Sequence, residues 1–335
     1  MKKLMVLVAA LALVAASAMT AAAADWNFYG SARVATFYVD SDLADTTNYA
    51  QNLQGNSRIG ANVKVSDELT GRFEYGSGVN LRILWGEWNF GAGSLGIGQH
   101  YTPLNWFYSN QVFGTDNDLL AQGGVYSGRE SMIQLTFGDF QIAALAPDTS
   151  AITGLAGTET DFPAIEAKYS LKMDAFSFEL AGGYQTYEIG GFDVDSWVVA
   201  LGGKVNLGAG YLNANVVTGQ NAGNMIAVSV DGDNGWDDGY AVYDAVNNKI
   251  EDNDYLGFLV AAGFKANDMF AFEAGYGWGE TEVANVDDAV AAYYIQSTIT
   301  LAPGVFITPE IGMFDGDETG DEETLYYGAK WQINF

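Results

Sequence analysis

The chain contains 335 residues, of which 42 are acidic and 14 are Lys or Arg, so its formal net charge at pH 7 is −28. This balance argues against nucleic acid as a partner, because phosphate binding needs clustered cations. The lack of Cys and the single His nearly exclude zinc sites, iron–sulfur clusters, thiol catalysis and disulfides. With 41 Gly and 14% aromatic residues, the composition favours strands and turns over helices.

The first 24 residues have the pattern of a secretory signal peptide. Lys2 and Lys3 precede an apolar run over residues 4–16, and small residues at 22–24 offer a cleavage site. The apolar run is short for a helix that spans a bilayer. We therefore expect residues 1–24 to be removed and residues 25–335 to form the mature barrel domain.

Apolar and polar residues alternate with a period of two along the mature chain. In chain order, the alternation predicts strands with one apolar and one polar face at residues 58–65, 165–172, 270–279 and 325–335. The phase assigns no faces at residues 81–90 and 94–101, and Pro309 is unexpected inside a predicted strand. A soluble sandwich also alternates, so the period alone does not decide the fold.

The connections between the strands separate these two folds, because they alternate between short and long. Tight turns are predicted at residues 66–69, 91–93, 138–139, 173–174, 207–210, 266–268 and 302–303. Longer polar segments are predicted near residues 39–56, 102–128, 148–162, 221–253 and 315–323. Short turns on one rim and long loops on the other are typical of outer-membrane barrels. The sequence therefore predicts an all-β fold, a transmembrane antiparallel β-barrel of about 16 strands.

Three segments resemble the Gram-negative general porin family. SRIGANVKVSDELTGRFEYG (57–76) is similar to the second and third strands of that family and the acidic turn between them. WNFGAGSLGIGQHYTPL (88–104) is similar to its glycine-rich hairpin, which leads through Thr-Pro into the third loop. The terminal WQINF resembles the outer-membrane assembly signal, carried here by Trp331, Ile333 and Phe335.

The resemblance implies a trimeric, water-filled porin in the outer membrane of a Gram-negative bacterium, narrowed by a third loop at about residues 102–128. Passive diffusion of small hydrophilic solutes and ions would be its function. The implied partners are a homotrimer, outer-membrane lipid and lipopolysaccharide, and the barrel-assembly machinery. Two departures stand out: Gln99 where the family often has Arg, and a long acidic sixth loop at residues 221–253. The alternatives are a substrate-selective channel, an outer-membrane hydrolase and an adhesin on a barrel scaffold.

Candidate constriction residues lie on the first strands and in the third loop. The wall cations are Arg33, Arg58, Arg72 and Arg82, and the loop acids expected to face them across the opening are Asp116 and Asp118. Opposed charges at a narrowing orient water and penalise apolar solutes. For Arg58 the strand parity and the resemblance agree, and the alternative is a rim arginine paired with a local acid.

Charge is also distributed along the barrel axis. Five lysines have lumen parity near the tight-turn rim and are predicted to line the periplasmic side, namely Lys64, Lys172, Lys204, Lys265 and Lys330. Acids collect instead in the sixth and eighth loops at the other rim. The outer mouth is therefore predicted to be strongly negative, which predicts a weak cation preference that fades at high salt.

Two further site hypotheses concern metal binding and catalysis. Carboxylates with intervening Gly at Asp231, Asp233 and Asp237 suit calcium or magnesium, but a solvated acidic loop is the alternative, and no other cofactor is expected. His100 is the only imidazole, and no nucleophile motif surrounds the nearby Asn105 and Ser109. We therefore predict no catalytic residue and no enzymatic activity.

Overall fold

A computed structural model describes residues 24–41, 46–230, 238–316 and 323–335. The predicted signal peptide therefore lies outside the described residues except for residue 24, and so do Asp231, Asp233 and Asp237. Helical structure in the described ranges is confined to two loop turns, Phe113–Asp116 and Ala222–Asn224. Within those ranges, no helix has both the length and the apolar character needed to cross a membrane.

Within the described residues, sixteen antiparallel strands close into one barrel, as the sequence predicted. In chain order they are β1 (Asp25–Ser41), β2 (Arg58–Lys64), β3 (Leu69–Gly76), β4 (Leu81–Asn89), β5 (Ser94–Tyr101), β6 (Arg129–Phe137), β7 (Phe140–Leu145), β8 (Ala164–Lys172), β9 (Phe176–Ile189), β10 (Phe192–Leu207), β11 (Gly210–Gln220), β12 (Asn253–Lys265), β13 (Phe270–Val283), β14 (Val286–Ala302), β15 (Val305–Gly316) and β16 (Thr324–Asn334). The ring closes where β1 pairs with β16, from Ser31 opposite Asn334 to Ser41 opposite Thr324.

Several short strands lie in the loops, in addition to the sixteen strands of the barrel. Thr46–Leu53 continues the pairing of β1 beyond β2, and Thr158–Glu159 pairs with the end of β9. A hairpin joins Asn105–Trp106 to Val125–Tyr126 inside the third loop, and Val242–Asp244 pairs with Lys249–Glu251 in the sixth. The third loop and the described part of the sixth loop therefore each contain a short hairpin of their own.

All seven predicted tight turns join consecutive strands at one end of the barrel, and both ends of the ring lie at that rim. The other rim carries the longer connections, among them the third loop (residues 102–128) and the sixth loop (residues 221–252). Two connections on that rim are instead two-residue turns, at residues 190–191 and 284–285. The alternation of short turns with long loops thus orients every strand.

The alternation of side chains separates an outward from an inward face. On β13, Phe272 and Tyr276 point outward and are exposed, whereas Glu273 points inward and is buried. The inward face is not uniformly polar, however, because Tyr255 and Leu259 of β12 also point inward and are buried. The prediction that polar faces line the whole lumen is therefore incomplete, since an apolar element must cover this part of the wall.

The apolar–polar alternation assigns no faces to residues 81–90, and the structure of β4 explains why. Glu74 pairs with Ile83, but the next residue, Tyr75, pairs with Leu81, so that Arg82 is an extra residue in the ladder. Such a bulge shifts the alternation by one position and bends the strand. It also turns Arg82 into the lumen, where its side chain is 5% exposed.

Pro309 sits in β15 where the hydrogen-bonded ladder to β14 is interrupted. Gln296 pairs with Glu310 and Ile299 pairs with Ile307, with no registered pair between them. Because proline has no N–H to donate, it is tolerated in a strand where the ladder is broken. The gap in the ladder therefore accommodates the proline that the alternation left unexplained.

Candidate pore constriction

The third loop folds into the barrel and packs against its inward apolar face. Its buried side chains share one cluster with residues of β9 to β14, and they are Leu104, Trp106, Tyr108, Leu119 and Val125. Tyr255, Leu259 and Tyr294 are among the wall residues of this cluster. Burial of apolar area fixes the loop inside the lumen, so that the loop narrows the channel from one side.

Carboxylates of the wall hold the backbone of the third loop. Each accepts a hydrogen bond from a loop N–H, in the pairs Leu104 N to Glu166 (3.0 Å), Asn110 N to Glu273 (2.8 Å) and Val112 N to Glu310 (2.7 Å). Bonds from an N–H to a charged acceptor are stronger than neutral ones. No sequence motif points to these glutamates, although each stands at an inward position of its strand.

Glycines on the wall allow the third loop to approach closely. A Cβ added to Gly277 of β13 would lie 2.2 Å from the carbonyl oxygen of Gln122, and one added to Gly202 of β10 would lie 2.7 Å from the Tyr108 ring. Both separations are shorter than ordinary atomic contacts. The glycine content therefore serves the docking of the loop as well as the turns.

We expect Gly277→Ala to narrow the channel and destabilise the barrel. The new methyl group must move the Gln122 backbone by about 1 Å toward the opening, because favourable contact distances are near 3.5 Å. Overpacking of this kind costs about 1–3 kcal/mol of unfolding free energy. The single-channel conductance and the midpoint temperature of thermal unfolding would both fall. Gly86→Ala is the control, since a Cβ there meets nothing within 4 Å; an equal effect of both variants would contradict the close docking.

The sixth loop lies on the third. The N–H of Ala227 donates to the carbonyl of Tyr126 at 2.8 Å, and the N–H of Ser229 donates to that of Ala121 at 3.2 Å. The adjoining Val228 is buried in the cluster that holds the third loop. The long sixth loop therefore covers part of the outer mouth and fixes the third loop from above.

An opening lies between the third loop, the described part of the sixth loop and a wall to which β1, β2, β4, β5, β6 and β16 contribute residues. It is a cavity of about 830 Å³, which we call the constriction. In the described part of the chain, five cations line it, Arg33, Arg58, Arg82, Arg129 and Lys330, together with two acids, Asp116 and Asp118. Arg129 was missed from the sequence, because it follows the loop directly and no strand alternation precedes it. Arg72 does not line this cavity and borders a smaller one with Lys64.

A single buried carboxylate organises three of the wall arginines. Glu74 of β3, with a fully buried side chain, lies 2.7 Å from Nε of Arg82, 3.0 Å from Nη2 of Arg72 and 3.6 Å from Nη1 of Arg58. The hydroxyl of Tyr29 also donates to it at 2.8 Å. The arginines are therefore held at fixed positions on the wall, and Glu74 had no assigned role at the sequence level.

Asp116 at the tip of the third loop bridges two cations of the wall. It pairs with Arg33, and its Oδ1 lies 2.9 Å from Nζ of Lys330. Asn56 donates a further hydrogen bond to its Oδ2 at 2.8 Å. The expectation that Asp116 faces the basic wall across open space therefore needs correction, because the loop tip touches that wall. Lys330, predicted for the periplasmic side, lines the constriction and also a second cavity that it shares with Lys265 near the tight-turn rim.

Asp118 has a different environment from Asp116. Its enclosure in the loop and the nearby Asp116 carboxylate raise the pKa of the Asp118 carboxyl well above its usual range, although Lys330 acts in the opposite direction. A raised pKa favours the neutral acid. Asp118 therefore offsets the cations of the constriction less than a fully ionised carboxylate does.

The other predicted lysines lie between the loop and the tight-turn rim. Lys204 donates to the carbonyl of Phe107 at 2.9 Å, and its Nζ lies 4.6 Å from the centre of the Tyr108 ring. Lys64 and Lys265 pair with turn acids three residues further on, whereas Lys172 ends β8 at the rim. Lys204 is thus a support for the third loop.

His100 and Ser109, which were considered for a hydrolase site, contact different partners. Nδ1 of His100 is 3.4 Å from the carbonyl of Tyr101, and its ring packs against Trp85. The Ser109 hydroxyl lies 2.8 Å from that of Tyr294 on the opposite wall. In the described ranges, moreover, no cluster of three or more His or acidic residues could hold a metal ion.

Comparison with known proteins gives a family and several related folds. A family model described as Gram-negative porin matches residues 9–319. Among solved structures, the outer membrane channel DcaP of Acinetobacter baumannii is 17% identical with a TM-score of 0.75, covering 93% of this chain and 97% of that one. No protein with a curated functional description matches the chain.

Two further solved structures share the architecture. The anion-selective porin from Comamonas acidovorans is 12% identical with a TM-score of 0.63, covering 93% of this chain and 100% of that one. OmpT of Vibrio cholerae, in its trimer form, is 16% identical with a TM-score of 0.62, covering 92% and 99%. At these identities the likeness establishes the barrel fold.

Proposed function

Because the chain belongs to the Gram-negative porin family, we propose that its passive diffusion channel prefers small anions. The protein is an outer-membrane porin, and the finer selectivity depends on the charges at its narrowest part. Among the described residues, five cations and two acids line the constriction, so the formal sum over these seven charges is 5 − 2 = +3. This excess of fixed positive charge is the observation that carries the proposal.

The excess is compatible with the acidic sequence, because many of the acids do not face the path of the solute. Glu166, Glu273 and Glu310 hold the third loop and are buried between it and the wall. An exposed acid of the sixth-loop hairpin, such as Asp244, borders water, where salt of physiological strength screens a charge over about 8 Å. The charges of the narrow part therefore weigh more in selectivity than those of the mouth.

The anion preference departs from the weak cation preference expected from the outer loops. That expectation treated the mouth as decisive and placed Lys330 at the inner rim. Arg129 and Lys330 add two cations to the constriction that the sequence did not assign there. We therefore base the proposed selectivity on the charges of the constriction.

We further propose a homotrimer, as in the trimer form of OmpT, in a lipid environment containing lipopolysaccharide. Trp331, Ile333 and Phe335 point outward and are exposed at the end of the chain, which suits an assembly signal read by the barrel-assembly machinery. Residues 1–24 would direct export and be removed before residues 25–335 fold. In this proposal the protein has no catalytic activity.

Planar-bilayer recording of the purified protein tests the proposed function. We expect stepwise conductance and, in a gradient of potassium chloride, a reversal potential displaced toward that of chloride. The displacement should shrink in 1 M salt, where the screening length is about 3 Å. Failure to form channels would overturn the porin assignment, whereas channels with a potassium-directed reversal potential would overturn the anion preference alone.

A further inference from the structure

The constriction combines its positive charge with an exposed aromatic surface. Along the third loop, Trp106 and Tyr108 turn toward the wall and are 4% and 1% exposed, whereas Phe107 between them faces the opening and is 39% exposed. A large apolar side chain facing water in a narrow polar passage is costly to keep there, because apolar area gains free energy when it is buried. Its position therefore calls for a function.

Phe107 belongs to a cluster of three rings that line the constriction, which we call the aromatic cluster: Tyr101, Phe107 and Tyr126. The ring centres of Tyr101 and Phe107 are 5.3 Å apart with the planes at 80°, and those of Phe107 and Tyr126 are 6.0 Å apart. These distances and tilts are favourable for aromatic pairs. The rings thus support one another and hold Phe107 in place.

Guanidinium groups adjoin the same rings. Nη1 of Arg129 donates to the Tyr101 hydroxyl at 3.0 Å, and its Cζ lies 5.1 Å from the centre of that ring. Nη2 of Arg82 lies 3.4 Å from the same hydroxyl. Of the five cations of the constriction, Arg129 is the one without an ion pair within the described part of the chain. Its charge is therefore available to a solute.

We propose that the aromatic cluster and Arg129 form a binding subsite for aromatic carboxylates inside the channel. The carboxylate pairs with the guanidinium of Arg129, and the ring of the solute packs against Phe107. Both interactions are weak enough to permit passage, since a solute that binds too tightly does not leave a channel. The inference rests on the proposed diffusion function and adds a preferred solute class to it.

Benzoate and cyclohexanecarboxylate test the subsite, because they share charge and approximate size but only benzoate has a π-system. The measured quantity is the concentration of each that halves the chloride current through single channels. In the wild type we expect benzoate to act at about two- to tenfold lower concentration than cyclohexanecarboxylate, as aromatic pairing predicts. Uncharged benzamide should have little effect, since it cannot form an ion pair with Arg129.

Variants separate the contributions of ring and charge. Phe107→Leu should remove the preference for benzoate, and Phe107→Tyr should keep it. The preference is the ratio of the two half-inhibiting concentrations, cyclohexanecarboxylate over benzoate, within one variant. A change in channel size therefore affects both probes alike. Arg129→Gln should raise the effective concentrations of both carboxylates. Phe162→Leu, in the fourth loop and 71% exposed, is the matched control and should leave the ratio unaltered.

Two results would overturn the subsite: equal action of the two carboxylates on the wild type, or a benzoate preference that survives Phe107→Leu. Either can occur in a protein that still conducts chloride, so the subsite can fail while the proposed function stands. Loss of chloride conductance in the wild type would instead contradict the proposed function, and the subsite with it.

Discussion

Glu74→Gln is expected to lower the unfolding free energy of the barrel by about 3 kcal/mol, since removing one partner of a buried ion pair leaves the others uncompensated. The Glu74 side chain is fully buried, and three arginines converge on it. A neutral amide cannot balance them, and the Tyr29 hydroxyl also loses its charged acceptor. The change should be measured from the denaturant dependence of tryptophan fluorescence in detergent or lipid.

Glu68→Gln is the matched control for this experiment, because the same substitution then falls on an exposed turn at the tight-turn rim. Surface changes away from special contacts usually alter stability by about 0.5 kcal/mol or less. Glu74→Gln should also increase the anion preference, because a negative charge beside the wall arginines is lost. Stability equal to that of Glu68→Gln would mean that water, rather than Glu74, balances the arginines.

The fold was predictable because a barrel exposes its organisation in local sequence. Each strand has one face toward lipid and one toward the lumen, so its residues alternate between apolar and polar. The apolar Phe272 and the charged Glu273 can therefore be assigned to opposite faces from the local sequence alone. The seven tight turns predicted for one rim then fix the number and direction of the strands. The alternation fails where a strand contains an extra residue. The bulge at Arg82 shifts the phase of β4, so the sequence alone does not show on which face this arginine lies.

The constriction was predicted only in part, because it depends on where the third loop lies. Strand position named Arg33, Arg58 and Arg72, and Arg82 was named without a settled phase. Arg33, Arg58 and Arg82 line the cavity, whereas Arg72 does not. Parity cannot say that the loop tip reaches across to Lys330 and pairs with it through Asp116. The contact joins residues 214 positions apart, and no pattern of short period encodes it.

The roles of the acids were also beyond the sequence. From strand alternation alone, a glutamate on the lumen face, such as Glu310, is expected to be a charge that faces water. In the structure it accepts bonds from Val112 and Phe113 and is buried beneath the loop. A net charge of −28 therefore predicts little about the selectivity of the channel, since acids such as Glu310 are buried beneath the third loop and do not line the constriction.

The double variant Arg129→Glu with Lys330→Gln is expected to reverse the ion preference from anions to cations. It leaves three cations and three acids among the ionisable residues of the constriction, a formal sum of 3 − 3 = 0 in place of +3. With the passage neutral, the acidic outer loops would set the preference. Two unit charges about 4 Å apart in water interact by about 1 kcal/mol, favourably for one ion and unfavourably for the other, so each altered charge should change the chloride-to-potassium permeability ratio about 30-fold.

Neither substitution of this double variant removes the last ion-pair partner of an acid in the described residues: Arg129 has no ion pair there, and Asp116 keeps its pair with Arg33. Lys249→Glu makes the same kind of charge reversal in the exposed hairpin of the sixth loop and should change the permeability ratio far less. Reversal potentials in dilute potassium chloride give the ratio for each protein. If Lys249→Glu changed it as much as the double variant, the mouth would control selectivity; if only the double variant did, the fixed cations of the constriction would.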